Sequence, residues 1–294
     1  MFKPILVFIA LLTCFMPATA QEEKQESNQE SKSSTENKAV KTEVKLSLPT
    51  DKFQQSQTDA KHYLVHDEIE EILVGADSYL AIIDANTSVN VKGNFIVLPD
   101  WAKGIKNPKT AGFTKYMSTI GWRSLTVQVP RSPENYPSTH HEQSQRLEEN
   151  QKSLADYQLL LTQLLQSAIE KSQQHPGPII VIAEGQVAAN VANILSQQND
   201  DIEALIILSG YVLTNHQDNT VNNSVANAEL PILDIFLSKD NLMVASQAKQ
   251  RQEAVNIELK SFYRQHRITN IQPGYYPRES LNRAVVGWLK TIGY

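Results

Sequence analysis

The sequence predicts an α/β protein in which helices cover both faces of a mostly parallel β-sheet. Three observations carry this. From Phe95 to the C-terminus, short apolar runs alternate with longer stretches whose apolar residues recur at helical spacing, the order that builds a parallel sheet. The run Ile179-Ile180-Val181-Ile182 is apolar at every position, as in a strand buried on both faces. Hydrophobic residues make up 41% of the 294, ample for a core once a polar N-terminal tract is set aside.

That tract follows a predicted secretory signal over residues 1–20. Lys3 supplies the positive start, Ile5 to Phe15 the apolar run, and Ala18-Thr19-Ala20 the small-residue cleavage site. The run is shorter than the roughly 20 residues of a membrane span. Cys14 offers lipoprotein anchoring as a rival reading; Thr13 stands against it, because a lipidated cysteine normally follows Gly, Ala or Ser. As the only cysteine, Cys14 leaves the mature chain without a disulfide, a thiolate nucleophile or a cysteine metal site. The expected destination is a bacterial periplasm, with no transmembrane span in the mature protein. Residues 21–60 are expected to form a disordered polar linker, because a stretch with so few apolar residues cannot offset the entropy of ordering. Residues 61–294 then form one domain.

Within that domain, Glu70 to Val74 and Tyr79 to Ile83 read as strands around a Gly75-Ala76-Asp77 turn. Phe95 to Leu98 and Ser124 to Val129 are further strands, each stopped by a proline. Leu147, Leu154, Tyr157, Leu161, Leu164, Leu165 and Ala168 mark a long helix, which Pro176-Gly177-Pro178 ends before the apolar strand. Val187 to Leu195 gives a helix of small residues. Ala204 to Leu208 and Leu233 to Leu237 are strands, Ala245 to Asn256 a helix, and Ile268 to Ile271 a weaker strand. A last helix carries Leu281, Ala284, Val285, Trp288 and Leu289. The Asn-rich stretch Thr214 to Ala228 is expected to be a loop, able to act as a flexible flap, over the carboxyl ends of the strands, where such sheets place their sites.

The formal net charge is −5, and Lys and Arg are scattered singly. Nucleic acid and anionic membranes demand a dense basic face, so neither is expected as a partner. A small molecule or a periplasmic protein remains.

Four segments carry a resemblance: Phe95-Ile96-Val97-Leu98-Pro99-Asp100-Trp101, Gly121 to Pro130, Ile182-Ala183-Glu184-Gly185, and Leu230-Pro231-Ile232-Leu233-Asp234. From about Glu68 onward the chain resembles the α/β-hydrolase superfamily, and more closely an exported family known as domain of unknown function 3530. The superfamily implies a nucleophile on a sharp strand-to-helix turn, Gly-x-Ser-x-Gly, with an acid and a histidine base on later loops. The matching turn is Ala183-Glu184-Gly185-Gln186-Val187. Gly185 stands at the nucleophile position and has nothing to attack with. The base loop reads Gln272-Pro273-Gly274-Tyr275-Tyr276-Pro277, without a histidine. His266 is expected before the strand, at the wrong end, while His62, His66, His140 and His141 read as surface residues. Asp240 falls where the acid belongs, yet without serine and histidine it has nothing to orient.

Other groups could still carry chemistry. Asp100, Glu184 and Asp240 are all expected at carboxyl ends of neighbouring strands, where three carboxylates could shift one another's pKa or hold a hard cation. Against this, Glu184 could simply cap or pair locally. Ser209 could be a displaced nucleophile, but no base is visible beside it. Tyr275, Tyr276 and Trp101 could stack on a ligand or plug the space of a vacated site. The sequence assigns no cofactor and no metal. Two functions stand side by side: a non-catalytic binding or interaction module, and an esterase-like hydrolase using Glu184 with Asp100 or Asp240.

Overall fold

The computed structural model describes residues 51–64, 68–105, 108–197 and 201–294. The predicted export signal, Cys14, the expected linker as far as residue 50, and His66 lie outside the described residues.

Helix α1 (Lys52–Tyr63) occupies most of 51–60, the stretch expected to finish the polar linker. Its one fully buried residue is Ala60, so propensity and amphipathicity alone do not explain it. The Asp51 side chain accepts the Gln54 N–H at 3.4 Å and caps the helix. Phe53 packs edge-on against Tyr79 with ring centroids 5.8 Å apart, and Gln57 donates to the Ser78 carbonyl at 3.1 Å. Tertiary contacts of this kind fold a segment whose sequence reads as solvated.

The elements then run β1 (Ile69–Val74), β2 (Asp77–Asp84), β3 (Gly93–Leu98), α2 (Pro108–Thr119), β4 (Trp122–Val127), α3 (Gln143–Gln173), β5 (Ile179–Glu184), α4 (Gly185–Leu195), β6 (Ala204–Leu208), α5 (Asn215–Asn227), β7 (Ile232–Leu237), α6 (Leu242–Ile257), β8 (Tyr263–Ile268) and α7 (Arg278–Thr291). Among the described residues, eight strands form one sheet in the order β1-β2-β4-β3-β5-β6-β7-β8. β2 pairs antiparallel with β1 and β4, and every other pairing is parallel.

The sheet separates two apolar clusters. Ile180 and Ile182 of β5 face Phe113 and Met117 of α2 and Leu281, Val285 and Trp288 of α7. Val181 and Ala183 face the other way, toward Tyr157, Leu161 and Leu165 of α3 and Val187 and Val191 of α4. This is why β5 is apolar throughout: each alternate side chain enters a different core. Burying one such side chain contributes about 1.5–3 kcal/mol.

Two expectations are corrected. Thr214 to Ala228 is not a loop; α5 fills it, because Val221 and Val225, one turn apart, are both buried and outweigh the low helix propensity of asparagine. The last strand is Tyr263–Ile268 rather than Ile268 to Ile271. Its Arg264, Gln265 and His266 hide the apolar signal, while Ile271 is 91% exposed.

Candidate functional site

The carboxyl ends of β3, β5, β6 and β7 converge on one region. At the end of β5, Gly185 takes φ +60° and opens α4 directly. That left-handed backbone is the sharp strand-to-helix turn on which a nucleophile would stand, and glycine adopts it without steric cost. The position is also occupied. An ideal Cβ on Gly185 would lie 1.6 Å from Oδ2 of Asp100.

Asp100 follows β3 after Pro99 and is only 4% exposed. Its Oδ1 accepts the Ala102 N–H at 2.9 Å, and its Oδ2 accepts the Gln186 N–H, also at 2.9 Å. The carboxylate therefore sits on the N-terminus of α4, where the helix dipole favours negative charge. In hydrolases of this topology, the N–H after the nucleophile and one from the β3 loop together bind the oxyanion of the reaction. Here the Gln186 N–H, which follows Gly185, is committed to a side chain of the protein itself.

Glu184 ends β5 and is buried. The Lys103 ammonium, on the same loop as Asp100, forms an ion pair with it. Asp240 lies beyond β7, where Oδ1 accepts the Asn241 N–H at 2.9 Å and Oδ2 the Leu237 N–H at 3.2 Å. Asp240 Oδ2 also accepts a hydrogen bond from the Ser209 hydroxyl, and the Ser209 oxygen meets the Tyr276 hydroxyl. Thus Ser209 does have an acidic neighbour, which the sequence does not reveal. Ser209 itself adopts φ +50° at the end of β6, strained for a residue with a Cβ.

Tyr276, in the loop where a histidine base would stand, is 2% exposed, whereas Tyr275 is 46% exposed. Burial pushes the Tyr276 phenol well above its ordinary value, the hydrogen bond with Ser209 pulls the other way, and the charges of Asp240, Glu184 and Asp234 add to the rise. The Tyr211 phenol is also raised, first by burial and then by Asp100, with Asp240 and Glu184 contributing. Around Tyr211, then, the three expected carboxylates do share one neighbourhood. Each has its own donors, however, and among the described residues no group of three His, Cys, Asp or Glu is placed to hold a metal ion.

A cavity of about 550 Å³ opens beside this region. Trp101, Lys103 and Gly104 line it from the β3 loop, Phe53 and Lys52 from α1, and Arg131 from the loop after β4. Trp101 packs edge-on against Tyr157 at 4.9 Å between centroids. Arg131 pairs with Asp51 at 2.8 Å and lies over the Phe53 ring at 5.1 Å. The helix that forms this wall is α1, which the sequence reading assigned largely to the linker.

The histidines stand apart. His266 is not ahead of the last strand but inside β8, where it faces a different cleft, and His62, His140 and His141 are exposed. One further polar pair lies outside the sequence expectations. Asp234, in the middle of β7 and fully buried, receives Arg251 Nε at 2.8 Å, the Tyr263 hydroxyl at 2.8 Å and Gln265 at 3.2 Å. A charge inside the run Ile232-Leu233-Asp234-Ile235-Phe236 was the available signal, since a buried carboxylate requires a partner.

The strand order, the sharp Gly185 turn and the acid loop after β7 define an α/β-hydrolase fold. Solved structures agree. Dienelactone hydrolase from Anabaena variabilis matches with a TM-score of 0.54 at 11% identity, over 76% of this chain and 98% of that one. Est1E from Butyrivibrio proteoclasticus gives the same TM-score, identity and coverage. A soluble variant of monoglyceride lipase from Saccharomyces cerevisiae gives 0.54 at 8% identity, over 76% and 95%. At such identities the likeness is one of fold. No curated protein matches the sequence. The chain belongs to the family described as "Protein of unknown function (DUF3530)", whose profile matches residues 3–291.

Proposed function

We propose that this protein is a non-catalytic member of the α/β-hydrolase fold, exported to the periplasm, which uses the carboxyl end of its sheet as a binding or interaction module. One observation carries the reading: the Asp100 carboxylate fills the space a side chain at Gly185 would need and engages the Gln186 N–H that follows it. Buried Ser209 and Tyr276, hydrogen-bonded to each other and, through Ser209, to the half-buried Asp240, close the rest of the region. The adjoining cavity is of a size that suits a small ligand, and Trp101 offers it an aromatic surface beside the Lys103–Glu184 and Arg131–Asp51 ion pairs. Export rests on the predicted signal of residues 1–20. Among the described residues, no helix is long and apolar enough to cross a membrane.

A second reading keeps a hydrolase, with Ser209 as nucleophile beside Asp240, or with Glu184 acting together with Asp100 or Asp240. The Ser209–Asp240 contact is what favours it. The decisive experiment measures turnover of a panel of short esters, thioesters, amides and phosphoesters, with and without divalent cations. The non-catalytic reading expects no turnover above the uncatalysed rate. Turnover that disappears in Ser209→Ala or Glu184→Gln, with folding retained, overturns it.

A further inference from the structure

A second cleft lies on the face of the sheet that α7 covers, at the β8 edge. Its volume is about 400 Å³, and it is lined by Arg264 and His266 of β8 and by Ser280, Arg283, Ala284 and Gly287 of α7. None of these residues belongs to the region around Gly185.

The sequence builds this cleft in two steps. Arg264, His266 and Ile268 alternate along β8 and so project from the same face. Ile268 is buried in the cluster that contains α7 residues, while His266 is half-buried and Arg264 exposed along the same edge of the helix. On α7, Ser280, Arg283, Ala284 and Gly287 fall at i, i+3, i+4 and i+7, one stripe of a helix. Small residues keep that stripe from closing on the strand; a Cβ added at Gly287 would meet nothing within 4 Å. Two guanidinium groups therefore face one concavity, and no carboxylate is part of its lining.

Charged residues on an edge strand also discourage pairing with another chain. Arg267 of the same strand serves that purpose, and Arg264 and Arg283 are exposed as well; what sets these two apart is that both line one concavity, one from the strand and one from the helix. Guanidinium groups match oxyanions with paired, planar donors. We infer that the Arg264–Arg283 cleft binds the oxyanion of a small solute, a phosphate, phosphoester or carboxylate, with Ser280 and His266 as further hydrogen-bonding groups.

The test is isothermal titration calorimetry of the full-length chain with inorganic phosphate, against sodium chloride at equal ionic strength. The expected result is saturable binding of phosphate. Arg264→Ala and Arg283→Ala should each weaken it about tenfold or more. Arg264→Lys should recover part of the loss, because it keeps the charge but not the fork. Unchanged thermal melts in the variants would show that folding is retained. Water-soluble dihexanoyl-phosphatidylglycerol separates two sources of the same chemistry. Binding tighter than phosphate, lost in the same variants, assigns the oxyanion to a lipid headgroup; weaker binding assigns it to a free solute. No heat beyond the chloride control, or phosphate binding that survives the double variant, overturns the inference.

Discussion

Oδ2 of Asp100 stands 1.6 Å from the point where a Cβ of Gly185 would be. The two residues are far apart in sequence, yet only one side chain fits between them, and the protein uses the carboxylate. The N–H groups of Gln186 and Ala102 then hold it at 2.9 Å each.

Gly185→Ala should accordingly destabilise the fold by about 2–4 kcal/mol, the sum of a left-handed backbone for alanine and the displacement of Asp100. Asp100→Ala should cost about 1–2 kcal/mol, as the loss of a helix cap does. In the double variant the collision is gone, so the two costs should add to less than their sum by about 1–3 kcal/mol. Urea denaturation of the four proteins measures this coupling. Strict additivity would mean that the carboxylate and the Gly185 position do not compete.

Ser209 offers a contrast between strain and hydrogen bonding. Ser209→Gly removes the cost of φ +50° but leaves the buried Tyr276 hydroxyl and the Asp240 carboxylate without their shared partner. A net loss of about 1–2 kcal/mol is expected. Ser209→Ala keeps the strain as well, and should be worse than glycine by about 1 kcal/mol. Thermal melts of the two variants give the ranking; alanine better than glycine would contradict the strain.

Removing the guanidinium from the core should be among the most damaging changes. Arg251 is 2% exposed and Asp234 0%, so Arg251→Met leaves a carboxylate stranded between β7 and α6. The expected cost is about 3–5 kcal/mol. Adding Asp234→Leu should return part of it, because the double variant has no buried charge to compensate. The midpoint of urea unfolding reports both steps.

Stability should also fall in alkali. Burial raises the phenols of Tyr157, Tyr263 and Tyr276 in the folded chain, whereas in the unfolded chain tyrosine titrates near pH ~10. Below that pH both states keep their protons and these groups contribute no pH dependence. Above it, the unfolded chain releases protons that the folded chain retains, so the balance tilts toward unfolding by about 1.4 kcal/mol per pH unit for each tyrosine. Urea midpoints on either side of pH ~10 should show the decline, and Tyr276→Phe should make it shallower.

Much of the sheet is legible in the sequence because its strands are apolar on one or both faces. Ala204 to Leu208 is found at those residues, and the Gly185 turn is visible from the small residues that follow an apolar strand. The segments that escape are the ones whose folding depends on partners distant in sequence. Helix α1 is polar and is held by Tyr79 and Ser78. Asparagines mask α5, whose anchors are only Val221 and Val225. β8 is an edge strand with charged residues, so its alternation gives little signal. At the site, the types and strand ends of Asp100, Glu184 and Asp240 can be read from the sequence. Their partners cannot, since the Asp100–Gln186 and Ser209–Tyr276 contacts span 86 and 67 residues.

The shared space of Asp100 and Gly185 bears on how this chain could change over generations. A substitution that restores a serine at the turn first meets the carboxylate; one that removes the carboxylate first uncaps α4. Each single step lowers stability before any activity could repay it, and Tyr276 still stands where a histidine would be needed. The pairing of Asp100 with Gly185 therefore behaves as a ratchet: each residue makes the other costly to replace by itself.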